Sequence, residues 1–204
     1  MTLPLSSENV SRETLDKLRA FENLVRQWTQ RINLISKASV DDIWDRHILD
    51  ALQLTRFVPK GQGHWLDLGS GGGFPGIVIA IVTQDHNPDM KMTLVESDAR
   101  KSVFLRTAIR QFDLNAEVKT TRIENLSAFN ADVISARALA SLSTLLSYAH
   151  PHMRADTIGV FPKGTTWKKE LEQARKEWSF SCDITTSETD PNAVILSIGS
   201  LAHV

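Results

Sequence analysis

The segment Trp65–Ile81, WLDLGSGGGFPGIVIAI, constrains the chain more than any other. A short apolar run holding one acid, Asp67, falls into a run of glycines and resumes as an apolar segment behind Pro75. That order reads as strand, glycine turn, helix. Gly69, Gly71, Gly72 and Gly73 supply backbone free to take unusual angles, with no side chain in the way of a close approach. Pro75 suits a first helical turn, where its missing N–H costs nothing, and it pushes Phe74 towards an extended conformation. The helix is therefore expected to begin at Pro75 and to pack Ile77, Ile79, Ala80 and Ile81 on a sheet. Glycines in this number weaken a turn unless something must lie against it. A bound ligand is the expectation; a tight turn without one is the alternative.

The rest of the chain supplies the sheet. After residue 61, strand-like and helix-like segments alternate: HWLDLGS, KMTLVES, AEVKTTRI, ADVISARAL and DTIGVFPKG are each followed by a turn or a helical pattern. SFSCDITTS and NAVILSIGS close the chain as two strands with no room for a helix between them. The reading is α/β: a mostly parallel seven-stranded sheet covered on both faces, ending in an antiparallel hairpin at one edge. Residues 8–57 read as helical, with Leu15, Leu18, Phe21, Leu24, Val25 and Trp28 at three-and-four spacing, and Ser39 before Asp42 as an N-terminal cap of a second segment. The turn residues PKGQGH suggest a boundary near residue 60, giving a helical extension over 1–60 and an α/β domain over 61–204.

Gly71, Gly73 and Gly76 satisfy G-x-G-x-x-G, a dinucleotide fingerprint that is weak alone. Asp67 bears on the choice of ligand. A pyrophosphate disfavours an anion beside it, whereas S-adenosylmethionine carries an ammonium and a sulfonium and no phosphate. Glu96, ending the second strand, is placed to accept from both ribose hydroxyls of either ligand, or is a solvated strand-end acid. Ile123 and Glu124 follow the third strand, where an adenine would lie.

NLIS (33–36), DRHILDA (45–51), DLGSGGGFPGI (67–77), LVESDARKSVFLR (94–106), ISARALASL (134–142) and PKG (162–164) occur in this order. Over roughly residues 20–165 the chain resembles the glucose-inhibited division protein B family, bacterial small-subunit ribosomal RNA (guanine-N7) methyltransferases. The resemblance implies a Rossmann-like class I fold and transfer of methyl from S-adenosylmethionine to guanine N7 of small-subunit rRNA. By motif it assigns Gly69, Phe74, Ile123, Glu124 and Arg137 to the cofactor; Asp67, Gly71 and Glu96 join them from the fold argument. Two departures stand out. Ala136-Arg137-Ala138 replaces the family's frequent Ser-Arg-Ala, leaving Ser135 as the nearby hydroxyl, and the last strand carries no basic residue.

Guanine N7 has a free lone pair and no proton to lose, so an in-line displacement needs positioning and no obligate general base; no catalytic residue is assigned. The substrate candidates are Arg46 and His47, set in an apolar helical stripe, and Lys163, at the carboxyl end of the fifth strand. Arg46 has a competing role as an ion pair with Asp50 four residues on. The basic residues of DARKSVFLRTAIR read first as a solvated helix face, Trp28, Trp44 and Phe161 as core, and HPH (150–152) as a surface loop.

The net charge of −1 confines any RNA contact to a local patch. Cys182, the only cysteine, excludes an internal disulfide and a cysteine-rich metal site. The start lacks a signal-peptide layout and the longest apolar run, Ile77 to Val82, is too short to cross a bilayer. A soluble cytoplasmic monomer is expected, acting on small-subunit rRNA or a 30S-type subunit, with no membrane. Two other classes stay open at this level: an NAD-dependent oxidoreductase and a non-catalytic RNA-binding module.

Overall fold

The computed structural model describes residues 10–204. Residues 1–9, which include the first two of the expected helical region, lie outside the described part. Helix α1 (Arg12–Thr29) begins where Ser11 accepts the Thr14 N–H at 3.0 Å, a side-chain cap for an otherwise unpaired donor. It buries Leu18, Phe21, Leu24 and Val25, as their spacing predicts.

The second helical region is less regular than its periodicity suggests. A 3₁₀ turn at Lys37–Ser39 precedes a π-helical turn at Trp44–Leu49, then α2 (Asp50–Leu52) and another 3₁₀ turn at Gln53–Phe57. Ser39 caps nothing. Its hydroxyl lies 2.6 Å from that of Ser36, and only its carbonyl engages the Asp42 N–H, at 3.2 Å.

Strand β1 (Gly63–Leu68) leads through the glycine turn into α3 (Gly76–His86). Then follow β2 (Met90–Glu96), α4 (Ala99–Phe112), β3 (Ala116–Thr120), β4 (Val133–Ser135), α5 (Leu142–Ala149), β5 (Ile158–Lys163), α6 (Trp167–Ala174), β6 (Trp178–Thr186) and β7 (Val194–His203). The seven strands lie in the order β3-β2-β1-β4-β5-β7-β6. The first five are mutually parallel; β7 runs antiparallel to β5 and β6, forming the expected terminal hairpin.

One face of the sheet shares a core with the N-terminal helices, in which Leu18, Phe21 and Ile48 meet Trp65, Ile77 and Phe104. The opposite face packs Leu66, Leu68 and Phe161 against Leu142, Leu146 and Ala174. Helix α3 starts at Gly76, one residue after Pro75, and is buried on all sides through Thr83 rather than on one face. An all-round apolar sequence demands this, and α1 provides the second cover. HPH is a 3₁₀ turn, not an extended surface loop: His152 is buried with its ring edge to Phe129, while His150 is exposed. Phe161 is fully buried and Trp28 meets Phe104 edge-on at 5.6 Å, both packing residues as read from the sequence.

Asp67 stands level with Leu94 and Ser135, and Ser135 level with Val160. The carboxyl ends of β1, β2, β4 and β5 therefore form one edge. The strand order reverses between β1 and β4, the place where open α/β sheets hold ligands.

Candidate functional site

At that edge lies a cavity of about 550 Å³, within the range of small-molecule sites. Its floor is the glycine turn. Gly69 (φ +66°) and Gly71 (φ +53°) hold left-handed conformations that a side chain would strain. A Cβ on Gly71 would meet nothing nearer than the Gly69 carbonyl at 3.7 Å, so its open face is free for a ligand. Gly73 and Gly76 have a different reason. A Cβ there would strike Ile77 at 2.7 Å or Leu94 at 2.3 Å, so both serve helix packing. Two of the three glycines behind the dinucleotide fingerprint thus answer to the core rather than to a pyrophosphate.

Glu96 stands on the cavity wall with both oxygens in use and lone pairs to spare. Oε2 accepts the Gly71 N–H at 2.9 Å and Oε1 the Asp98 N–H at 2.8 Å. Ile123 and Glu124 occupy a 3₁₀ turn on the same wall, where Glu124 accepts from the Tyr148 hydroxyl at 3.2 Å. Leu34, Ile35 and Ser36 line the cavity from the N-terminal side. They belong to the NLIS motif, whose role the sequence alone does not reveal. An apolar turn, a ribose-type acceptor and an open glycine face suit S-adenosylmethionine.

Asp67 differs from the expectation of an acid in the wall. It is 1% exposed beneath the turn and does not line the cavity. Trp65 Nε1 donates to Ser135 Oγ at 2.8 Å, which donates to Asp67 Oδ1 at 2.6 Å. Oδ2 has no hydrogen-bond partner among the described residues. Burial raises the carboxyl to about 6, against the Ser135 hydrogen bond, which lowers it. Ser135 is spent on this chain and does not stand in for the serine missing at Ala136.

Arg137 is the hub of the site. Nη1 donates to Asp50 Oδ2 at 2.9 Å and to the Arg46 carbonyl at 3.2 Å, and Nη2 to His47 Nδ1 at 2.7 Å. Because Arg137 only donates, Nδ1 is an acceptor and the His47 proton sits on Nε2, which has no partner among the described residues. Burial first, and the Arg137 charge second, hold His47 down to about 4, so the ring is neutral near pH 7. The ring also stacks on Phe74, with centroids 5.0 Å apart. Asp50 therefore pairs with Arg137, and the Arg46–Asp50 ion pair weighed from the sequence does not form. The π-helical turn carries Arg46 and His47, and such wide turns recur at functional sites.

A second cavity, of about 510 Å³, adjoins the first. Arg137 and Ala138 line both. Arg46, exposed and without a side-chain hydrogen bond among the described residues, and Lys163 stand on the second wall with Asp45, Asp50, Glu170 and Asp190. The structure thus brings Gly69, Gly71, Phe74, Glu96, Ile123, Glu124, Arg137 and His47 around the first cavity and Arg46 and Lys163 around the second. Of these four carboxylates the sequence points only to Asp50, and there as a partner for Arg46. Of the α4 basic residues, Lys101 reaches the first cavity, while Arg100 pairs with its own cap, Asp98. Among the described residues no cluster of potential metal ligands forms and no helix is long and apolar enough to cross a membrane.

Solved structures share this architecture. A SAM-dependent methyltransferase from Aquifex aeolicus superposes with a TM-score of 0.61 at 13% identity, over 79% of this chain and 94% of that one. A TehB-like SAM-dependent methyltransferase from Corynebacterium glutamicum gives 0.59 at 16% identity, over 89% and 98%. At such identities the likeness speaks for the fold. Sequence relatives go further. The chain is 50% identical over 196 residues to the ribosomal RNA small subunit methyltransferase G of Ruegeria sp. (strain TM1040), covering 96% of this chain and 95% of that protein. It is 48% identical to the namesake in Jannaschia sp. (strain CCS1), over 93% and 90%. The profile of the family described as rRNA small subunit methyltransferase G matches residues 14–191, extending past both ends of the stretch recognised by motif and containing both cavities except Ala193, Val194 and Ile195. With identity at this level along nearly its whole length, the chain belongs to the rRNA small subunit methyltransferase G family.

Proposed function

We propose that this rRNA methyltransferase binds S-adenosylmethionine in the first cavity and receives a guanine of small-subunit rRNA in the second, methylating it at N7. The observation that carries the reading is the shared wall: two cavities of similar size meet at Arg137 and Ala138. The family's methyl donor is S-adenosylmethionine, which when bound supplies an electrophilic methyl carbon on a sulfonium. Membership of the family closes the oxidoreductase and non-catalytic alternatives.

The chain's own residues bind and orient. Glu96 offers acceptors to ribose hydroxyls, and Ile123 and Glu124 flank the adenine end. Asp67 contributes through the field of its buried charge rather than by contact. Arg46 meets RNA phosphate at the second cavity, which would make affinity depend on salt, and Lys163 faces the bound base there. N7 has no proton to remove, and His47, held neutral, is not needed as a base. Methylated guanine is cationic, and Asp45, Asp50, Glu170 and Asp190 supply negative charge around it. From the proposed extension over 1–60, Leu34 and His47 line the first cavity and Arg46 the second, beside a proposed methyltransferase domain over 61–204. The enzyme works as a cytoplasmic monomer on rRNA or the assembled small subunit.

Mapping 7-methylguanine in rRNA from a deletion strain and its parent tests this. One small-subunit guanine should lose its mark. An unchanged pattern, together with no incorporation of labelled methyl into small subunits by the purified protein, would overturn the assignment.

A further inference from the structure

We propose that Lys163 donates to O6 of the target base and thereby makes the second cavity selective for guanine over adenine; the inference rests on the methyltransferase reading above. Lys163 Nζ donates to the Ala140 carbonyl at 2.8 Å and to Glu170 Oε2 at 2.8 Å, and its side chain is 9% exposed. An ammonium has three N–H groups. Two are used, and the third has no partner among the described residues, in a side chain that lines the cavity. Ala140 lies two residues beyond Ala138, which with Arg137 borders both cavities. The ammonium is therefore anchored on the wall of the second cavity, by a carbonyl of the segment that runs on from that border.

Guanine presents N7 and O6 on one edge, both acceptors, whereas adenine replaces O6 with an N6 amino donor. A donor-only group next to N7 satisfies the first base and opposes the second. Its anchors on Ala140 and Glu170 hold it against turning away. Leaving such a buried donor unmatched is costly, which is how polar sites reject analogues that lack one hydrogen-bonding group.

The test uses the full-length protein and small-subunit RNA ligated to carry guanine, inosine or 2-aminopurine at the mapped target. Inosine keeps O6; 2-aminopurine lacks it and keeps N7. With the wild-type protein, 2-aminopurine should be methylated about 10- to 100-fold more slowly than guanine, the range for a hydrogen bond to a charged group, and inosine should stay close to guanine. Lys163→Met should slow guanine and inosine by a similar factor and leave 2-aminopurine unchanged. Lys163→Arg should restore part of the difference. Affinity for S-adenosylhomocysteine, read by calorimetry, should not change, because Lys163 does not line the first cavity. Equal slowing of all three bases by Lys163→Met would mean a structural role and overturn the proposal. Should the variant fail to fold, wild-type rates that do not distinguish guanine from 2-aminopurine would overturn it alone. Failure of the wild-type protein to methylate guanine at all would instead defeat the underlying function.

Discussion

Asp67→Asn should change the way stability responds to pH. Burial raises the Asp67 carboxyl from its ordinary 3.8 to about 6 in the folded chain. The native state then holds the proton more tightly than the unfolded chain does. That contribution to stability is full below 3.8 and is lost as pH rises through about 6. Across the whole window the loss is about 3 kcal/mol, and roughly 1.4 kcal/mol of it falls between about pH 5 and about pH 8. The asparagine keeps an oxygen for the Ser135 hydroxyl. It also brings an amide N–H₂ to the place of Oδ2, which has no partner among the described residues, at a cost of about 1–3 kcal/mol at every pH. Urea denaturation should find the variant well below wild type near the acid end. It should gain about 1.4 kcal/mol on wild type by the alkaline end, about 3–6 °C in melting temperature for a chain of this size. The difference between the two proteins isolates Asp67 from every other titrating group. Stability curves that run parallel over this range would refute the raised carboxyl and the charge argument built on it.

Gly71→Ala puts a methyl on the open face of the turn at φ +53°. It should lower S-adenosylhomocysteine affinity by about tenfold or more, with about 1 kcal/mol of strain in the melting curve, and unchanged affinity in a calorimetric titration would remove the turn from the site. Arg46→Ala breaks no ion pair among the described residues. Its stability should stay within about 0.5 kcal/mol of wild type while the salt slope of RNA binding falls by about 1, and a loss of melting temperature without that change would make Arg46 structural. The His47 ring should remain neutral in an NMR titration until the pH approaches about 4, and because the unfolded imidazole titrates near 6.5, keeping it neutral costs more stability as pH falls below that value.

Strand and helix alternation, the terminal hairpin and the glycine turn were legible because each leaves a local mark: period two, period near four, or a residue type that only special backbone needs. The π-helical turn left none. Widening a turn by one hydrogen-bond register hardly disturbs the apolar spacing around Ile48, so the sequence still reads as an ordinary helix. Asp67 stands out in the sequence as an acid within a strand, but its burial beneath the turn leaves no such mark. Strand alternation sets it on the Trp65 side of β1, the side covered by α3, which turns it under the glycine turn rather than towards the cavity. The second cavity was out of reach for another reason. It gathers residues near positions 46, 137, 163 and 190, and pairings such as Asp50 with Arg137 link segments 87 residues apart.

Arg137 borders both cavities, so a ligand in either would meet the same guanidinium. Thermodynamic reciprocity then applies: whatever factor the methyl donor contributes to RNA affinity, RNA contributes the same factor to affinity for the donor. The reaction itself alters the balance. On the proposed reading, methyl transfer moves the donor's positive charge from sulfur to the base, past a guanidinium whose carboxylate partner, Asp50, also accepts from Gln53 and Thr189. On that reading Arg137 therefore faces that charge on the donor's side before transfer and on the RNA side after it, while the total charge in the two cavities is unchanged.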